Sequence, residues 1–331
     1  MKSLIYSFLM ALIFWGCSDV SCPEEVDISN ISIDLRVERL DREMFNLKSK
    51  QEIRDFLNRH KLFGSAFLGV SNYPHDSLLI NNIYRLTKDP YMDSLYQETQ
   101  RIFGDFSDIK REFENAFRHL KAYYPQAKIP IIKTVITGFG QDLFVSDSLI
   151  IVGLDYFLGK DARYRPVDYP LYILRRYEKE YIVPTCMLNI SKLYNLSNYQ
   201  DNTILADMIF YGKSYYFTKR MMPCSPDSLI IPYTAQELSD VKENHDIIWA
   251  HFVENQLIFE TNYFIKQKYL EERPNIPEIG PKCPGRVGTW VGWEIVKSYF
   301  HQNPEIGLKQ LMANQDAQAI FSQSKYKPIP R

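Results

Sequence analysis

The sequence lacks every short signature that marks a familiar enzyme. It has no HExxH, so the two histidines of a zinc-protease helix are missing. It has no GxSxG elbow, so any serine or cysteine nucleophile would have to be assembled from unmarked residues. It has no CxxC, which removes the zinc-ribbon and thioredoxin readings. The single GKS, Gly212-Lys213-Ser214, lacks the glycine that a phosphate loop needs five residues earlier, because that position is Asp207. The tripeptide also sits inside a continuous apolar pattern instead of between a strand and a helix. Nucleotide binding is therefore excluded. With a formal net charge of −1 and no basic stripe, nucleic acid is not an expected partner. No internal repeat or low-complexity tract appears.

What is present begins at the N-terminus. Lys2 precedes an uncharged apolar run, Leu4 to Gly16, of signal-peptide length and too short to span a bilayer as a mature helix. The run ends at Gly16-Cys17 and turns polar. A small residue before cysteine at such a junction is the substrate pattern of lipoprotein signal peptidase, although Phe14 and Trp15 are bulkier than usual. We expect residues 1–16 to be a lipoprotein signal peptide, Cys17 to be lipidated, 17–30 to be a tether, and 31–331 to be a single domain. An ordinary signal peptide or signal anchor is the alternative. Cys22, Cys186, Cys224 and Cys283 remain; an exported compartment permits disulfides, and buried free thiols fit equally well. The chain carries 23 Tyr and 20 Phe, which serve packing or, less simply, glycan and partner binding.

Periodicity predicts a mostly helical α+β domain with a small sheet of short strands. Alternation over 31–37 predicts a strand. Three further β-rich runs, 131–137, 142–145 and 149–153, are separated by Gly138, Gly140 and Ser146-Asp147-Ser148. Helices are expected over 50–68, 76–86, 92–103, 107–123, 184–196, 203–221, 235–269 (with a break near Glu254), 287–302, 304–313 and 316–323. Asn303-Pro304-Glu305 reads as a helix start, and Asp316 as an N-cap.

Chemistry-bearing residues are scattered. His245 and His251 are six apart, about 240° around a helix, and so face different ways; His251 and Glu254, i,i+3 neighbours, read as an exposed polar face. Asp142 and Asp147 read as turn residues. Asp207 and Glu294 stand out because their helices also carry glycines: Gly212 on an apolar stripe, and Gly288 and Gly292 one turn apart. Such glycines let another backbone approach; close helix packing is the expected use, and a glycine-floored pocket is the sharper one. A hydrolase using Asp207, Glu294 and one histidine, and a glycan- or peptide-binding module using tyrosines with Trp290 and Trp293, remain as alternatives.

The order of segments also carries a resemblance. A lipobox at Cys17 is followed by RLDREMF (39–45), GFG (138–140), IIVGLDYFLG (150–159) and YIVP (181–184). Then come LADMIFYGKSYYFTKRMMP (205–223), PGRVGTWVGWEIVKSYF (284–300) and NQDAQAIFSQSKYKP (314–328). The chain resembles the GldB gliding-motility lipoproteins of Bacteroidetes. The resemblance implies an exported lipoprotein needed for surface movement and linked to adhesin secretion. We expect it in the cell envelope, lipid-anchored and facing the periplasm, in the outer membrane, an address that Ser18-Asp19 does not itself fix. Its implied partners are the membrane, through the lipid, and other motility or secretion proteins. A more distant resemblance is to putative zinc-dependent proteases (zincin-like), in which a Pro-led helix carries HExxH and the next helix a glutamate before its glycine. Here the first helix, from Pro184, has no His, Asp or Glu, and Tyr211 stands before Gly212. The resemblance implies a metallopeptidase-like scaffold with a degenerate metal site, no metal, no cofactor and no catalytic residue. Its candidate vestigial pocket is Asn189, Asp207, Tyr211, Gly212, Gly288, Gly292 and Glu294.

Overall fold

The computed structural model describes residues 26–328. The expected signal peptide, Cys17, Cys22 and much of the expected tether lie outside the described residues. Four short strands form one mixed sheet: β1 (Val37–Arg39), β2 (Ile131–Val135), β3 (Leu143–Val145) and β4 (Leu149–Gly153), in the order β1-β2-β4-β3. β1 and β4 run parallel to β2, and β3 runs antiparallel to β4. The parallel step from β1 to β2 needs a crossover. It is made by α1 (Leu40–Asn46), α2 (Lys50–Arg59), α3 (Lys61–Ala66), α4 (Asp76–Lys88), α5 (Pro90–Phe103) and α6 (Ser107–Tyr123). The remaining helices are α7 (Leu171–Leu174), α8 (Ile182–Ser191), α9 (Ile204–Met221), α10 (Asp227–Ile230), α11 (Ala235–Glu243), α12 (His245–Glu254), α13 (Tyr263–Leu270), α14 (Val287–Gln302), α15 (Leu308–Ala313) and α16 (Ala317–Ser324).

The apolar run of β4 is explained by what lies on either side. Alternate residues of a strand point to opposite faces. Ile150 and Val152 enter the large core with the later helices, whereas Leu149 and Ile151 enter a smaller core with Ile53, Phe56, Phe63 and Ile80. The sheet thus divides two cores, and a strand covered on both faces must be apolar throughout. The GFG turn after β2 has left-handed backbone at Gly138 (φ +66°) and Phe139 (φ +64°). Asp155, buried at the end of IIVGLD, holds it: its carboxylate accepts the amides of Thr137 (3.1 Å) and Phe139 (2.7 Å). Burial pushes the Asp155 carboxyl up.

Two helices dominate the larger core. α9 is buried on most sides, as a helix surrounded by others must be. It crosses α14 at Gly212 and Gly292. A Cβ on Gly212 would collide with the Gly292 carbonyl and lie 2.8 Å from the Trp293 amide nitrogen. A Cβ on Gly292 would collide with the Met208 carbonyl and lie 3.0 Å from the Met208 Cα. The expected close packing is therefore backbone on backbone, at the positions read from the glycines. Gly288 faces a different neighbour, with its missing Cβ 3.1 Å from the Tyr269 carbonyl oxygen and from Leu270.

Several boundaries differ from expectation. The 31–37 alternation pairs only from Val37, because the register sets Val37 opposite Ile132, near the start of β2 at Ile131, and leaves the earlier residues little to pair with. Leu35 is buried all the same. Asn303 does not open a helix: its amide and side-chain nitrogens donate to the Tyr299 carbonyl at 3.1 and 2.7 Å, closing α14. α15 starts at Leu308 after Gly307, whose amide donates to Gln310 (2.7 Å). The 235–269 pattern breaks at Asn244, which caps the Asp240 carbonyl, as well as after Glu254. The 50–68 pattern breaks at His60, and α8 ends at Ser191, short of 196. Asp316 does cap α16, accepting the Ala319 amide at 2.8 Å.

We expect Gly292→Ala to cost about 3 kcal/mol or more in denaturant unfolding, because no side chain can yield where backbone meets backbone. Gly280→Ala is the control: no atom lies within 4 Å of its added Cβ, so its cost should stay within about 0.5 kcal/mol.

Candidate functional site

The GKS tripeptide is the natural starting point, since sequence made it suspicious. Each of its residues has a structural partner. Gly212 meets α14. Lys213 is buried, and its ammonium donates to the carbonyls of Leu196 (2.6 Å), Asn314 (2.7 Å) and Met312 (3.4 Å). These carbonyls belong to the chain beyond α8 and to the end of α15, where helical carbonyls lack intrahelical donors. Burial pushes Lys213 down to about 8, so at neutral pH it still offers three N–H donors to three acceptors. Ser214 Oγ accepts from the Asn195 side-chain amide at 2.9 Å, and the same amide donates to the Phe210 carbonyl at 2.8 Å.

The seven candidate pocket residues do not converge. Asp207 and Tyr211 line one depression of about 290 Å³, beside Tyr199 and Phe210. Asp207, 39% exposed, is paired with Lys266 at 2.6 Å, and Lys266 also donates to the Asn202 carbonyl at 2.8 Å. Burial pushes the Tyr211 hydroxyl up. Asn189 bonds within its own segment, to the Thr185 carbonyl (2.9 Å) and from Lys192 (3.0 Å). Glu294 is paired with Lys297. Gly212 and Gly292 are filled by each other's helix, and Gly288 by α13. Glu294 and Asn189 do not line the depression that holds Asp207. Among the described residues, no group of three or more His, Cys, Asp or Glu could hold a metal ion.

Two further expectations are qualified or corrected. On α12, Glu254 is exposed as expected, but His251 is only partly so, its ring meeting the Tyr269 hydroxyl at 2.9 Å. His245, on another face, is half-buried against Trp290 and bonded to Tyr326. Trp290 and Trp293 are 0% and 1% exposed, so neither offers a ring to a glycan. The cysteines also resolve in part. Cys186 and Cys283 are free and buried, whereas Cys224 is disulfide-bonded. Burial pushes the Cys283 thiol up to about 12 and the Cys186 thiol further, so neither is a ready nucleophile.

Sequence reasoning missed two polar networks. At the head of α14, Arg286 takes a left-handed conformation (φ +61°) and donates to Glu272 (2.9 Å) and to the Tyr215 hydroxyl (2.8 Å). Arg176 shares the same carboxylate. Near β1, buried Asp41 accepts Arg39, Thr134 and Gln100. Asp41 was visible only as part of RLDREMF; its partners are up to 93 residues away. A third feature is a groove of about 880 Å³ beside the GFG turn, walled by Phe139, Tyr156, Tyr164 and Tyr169 with Arg163 and Arg165. Val167 and Leu171 stand at its edge, 92% and 76% exposed.

These features define a mostly helical α+β protein whose conspicuous residues are held by packing and capping. Among its described residues, no helix is long and apolar enough to cross a membrane. The family described as gliding motility protein GldB, a lipoprotein family, matches residues 21–328, and the chain belongs to that family. Its relatives act in gliding motility, and the family name points to a lipid-anchored envelope protein. No curated protein and no solved structure matches the chain.

Two substitutions test this assignment of roles. Lys213→Met should destabilise the protein by about 1–3 kcal/mol in urea unfolding, since the Leu196 and Asn314 carbonyls lose the ammonium that ties them together, while Met312 keeps the Leu196 amide. Glu112 on α6 is pushed up to about 7 by burial and by the Asp108 and Glu180 charges. The folded state therefore holds a proton that the unfolded state has released between pH 4.5 and 7, and stability from this group falls as pH rises through that window. Glu112→Gln should match the wild type near pH 4.5 and exceed it by about 1–2 kcal/mol above pH 7, with solvent screening limiting the gain.

Proposed function

We propose that this chain is a non-catalytic, lipid-anchored scaffold of the machinery that moves cells over surfaces and exports the motility adhesins. The observation that carries the reading is the fate of the GKS segment. In the protease-like arrangement, the residue before the helix glycine would be a metal-binding glutamate. Here it is Tyr211, the glycine is taken up by a backbone crossing, and the next residue caps carbonyls. α8 offers no His, Asp or Glu to replace the missing ligands. Family membership supplies the motility context. The reading thus includes a metallopeptidase-like ancestry with the metal residues gone, an outer-membrane address facing the periplasm, and neighbouring motility and secretion proteins as partners.

A second reading, a glycan- or peptide-binding module, draws support from the tyrosine-walled groove beside Gly138 in place of the tryptophans. Aromatic walls with flanking arginines suit ring stacking and polar contacts together. The two readings are compatible, since a scaffold needs a surface to bind with.

Deleting the protein in a gliding host should abolish surface spreading or adhesin export, and Cys17→Ser should move it from the membrane to the soluble fraction. A deletion strain that spreads and secretes normally would remove the motility role. For the second reading, Tyr169→Ala should lower the melting temperature slightly, through its lost stacking on Tyr177, and reduce spreading far more than Tyr169→Phe; full spreading would remove the groove from the account.

A further inference from the structure

The chemistry of the groove beside the GFG turn narrows what it can bind. Its walls are the turn itself, Tyr156, the loop over 163–169 and the start of α7. We propose that it takes a polypeptide segment of a partner protein in which apolar side chains are flanked by acidic ones. The inference rests on the second reading above, that this groove is a binding surface, and chooses peptide over glycan.

The first argument comes from the rings. Two of the wall hydroxyls already have acceptors within the protein: Tyr156 donates to the Phe139 carbonyl (2.5 Å) and Tyr164 to Ser94 Oγ (3.4 Å). Tyr169 stacks on Tyr177 with ring centroids 5.7 Å apart, and the Tyr177 hydroxyl donates to Asp142 (2.7 Å). A saccharide needs acceptors as well as donors beside an aromatic face, because each of its hydroxyls both gives and takes a hydrogen bond. The long polar side chains of the groove are Arg163 and Arg165, which only donate, and Asp168 is the one carboxylate among the described lining residues. Val167 and Leu171 complete the apolar part and stand largely in solvent. Aliphatic groups of this kind offer no flat face to a sugar; another apolar side chain covers them best.

The second argument is charge. Arg165 donates to the Lys160 carbonyl (3.1 Å), and Arg163 lies 5.3 Å from the centre of the Tyr164 ring. Among the described residues neither guanidinium has a carboxylate partner, whereas Arg175 and Arg176 farther along are paired with Glu237 and Glu272. An arginine fork takes a carboxylate in a two-bonded pair, so the lip of the groove selects acidic residues. The wall is also in place beforehand. The Gly159 amide donates to the Tyr177 carbonyl (3.0 Å), the Arg163 amide to Glu98 (3.1 Å) and the Ile173 amide to the Pro170 carbonyl (2.9 Å). Little ordering then has to accompany binding. At about 880 Å³ the groove has the size of a full ligand site and admits several side chains.

The test uses the full-length protein, purified from membranes in detergent, and a display library of random short peptides. Selected peptides should combine Asp or Glu with apolar residues. A resynthesised peptide should bind the wild type about tenfold more tightly than either Arg163→Glu/Arg165→Glu or Leu171→Ser. Both variants should melt with the wild type, since all three side chains are exposed. Exchanging the acids of the peptide for lysine should restore part of its binding to the charge-reversed variant. Selected peptides without acidic residues, or binding that both variants leave unchanged, would overturn the inference. Chitohexaose is the parallel glycan probe. If it binds in a manner lost in Tyr169→Ala while no peptide binds, the groove remains a binding surface and the choice of peptide falls. If neither probe binds, the second reading falls with it.

Discussion

The contact between the backbones of α9 and α14 is the constraint on which the helical body depends. Two helices that touch through side chains stand 8–10 Å apart. Here Gly212 and Gly292 allow a closer approach, because any Cβ at either position would occupy the opposing carbonyl. That approach sets where everything around the pair must go. The rings of Tyr215 and Trp293 meet with centroids 5.6 Å apart, α13 packs over Gly288, and Lys213 reaches the ends of the segments after α8 and α15. A helix with a glycine at its centre would be weak alone. It is held because nearly every side of it is covered.

The same constraint bears on function. A catalytic or ligand-binding site needs polar groups with free valence facing a cavity. Around the crossing, most of the candidate polar groups have a partner. Asp207 has Lys266, Glu294 has Lys297, Lys213 has three carbonyls, and Ser214 has Asn195. On the proposed reading, this region gives the fold its stiffness, and contact with other envelope components falls to surfaces elsewhere, such as the groove near the GFG turn.

How much of this was legible in the sequence follows from the range of each signal. Local periodicity and caps placed α6 and α14 at the expected residues, and Asp316 capped the helix it preceded. The glycine stripe announced close packing, because a small residue on an apolar face has few other uses. Signals that depend on a distant partner were unreadable. Residues 31–36 alternate well, but only the Arg36 carbonyl finds β2, through the Ile132 amide, because β2 begins at Ile131. Asn303 looked like the beginning of a helix because the same residue type can also end one. His251 looked fully exposed because the ring that meets it, Tyr269, lies 18 residues along the chain. The site residues were legible as residues of interest, but their separation was not. Asn189, Asp207 and Glu294 share a neighbourhood only if their helices turn the right faces together, and one-dimensional spacing does not say so.

The central claim is that the conspicuous residues of α9 and α14 serve the fold and not a reaction. It is tested most directly by measuring folded protein and surface spreading together for a panel of substitutions at Asp207, Tyr211, Gly212, Lys213, Gly292 and Glu294. The account predicts a single relation, in which spreading falls only as the folded fraction falls. A fully folded, membrane-located Asp207→Asn or Glu294→Gln protein that no longer supports spreading would contradict it.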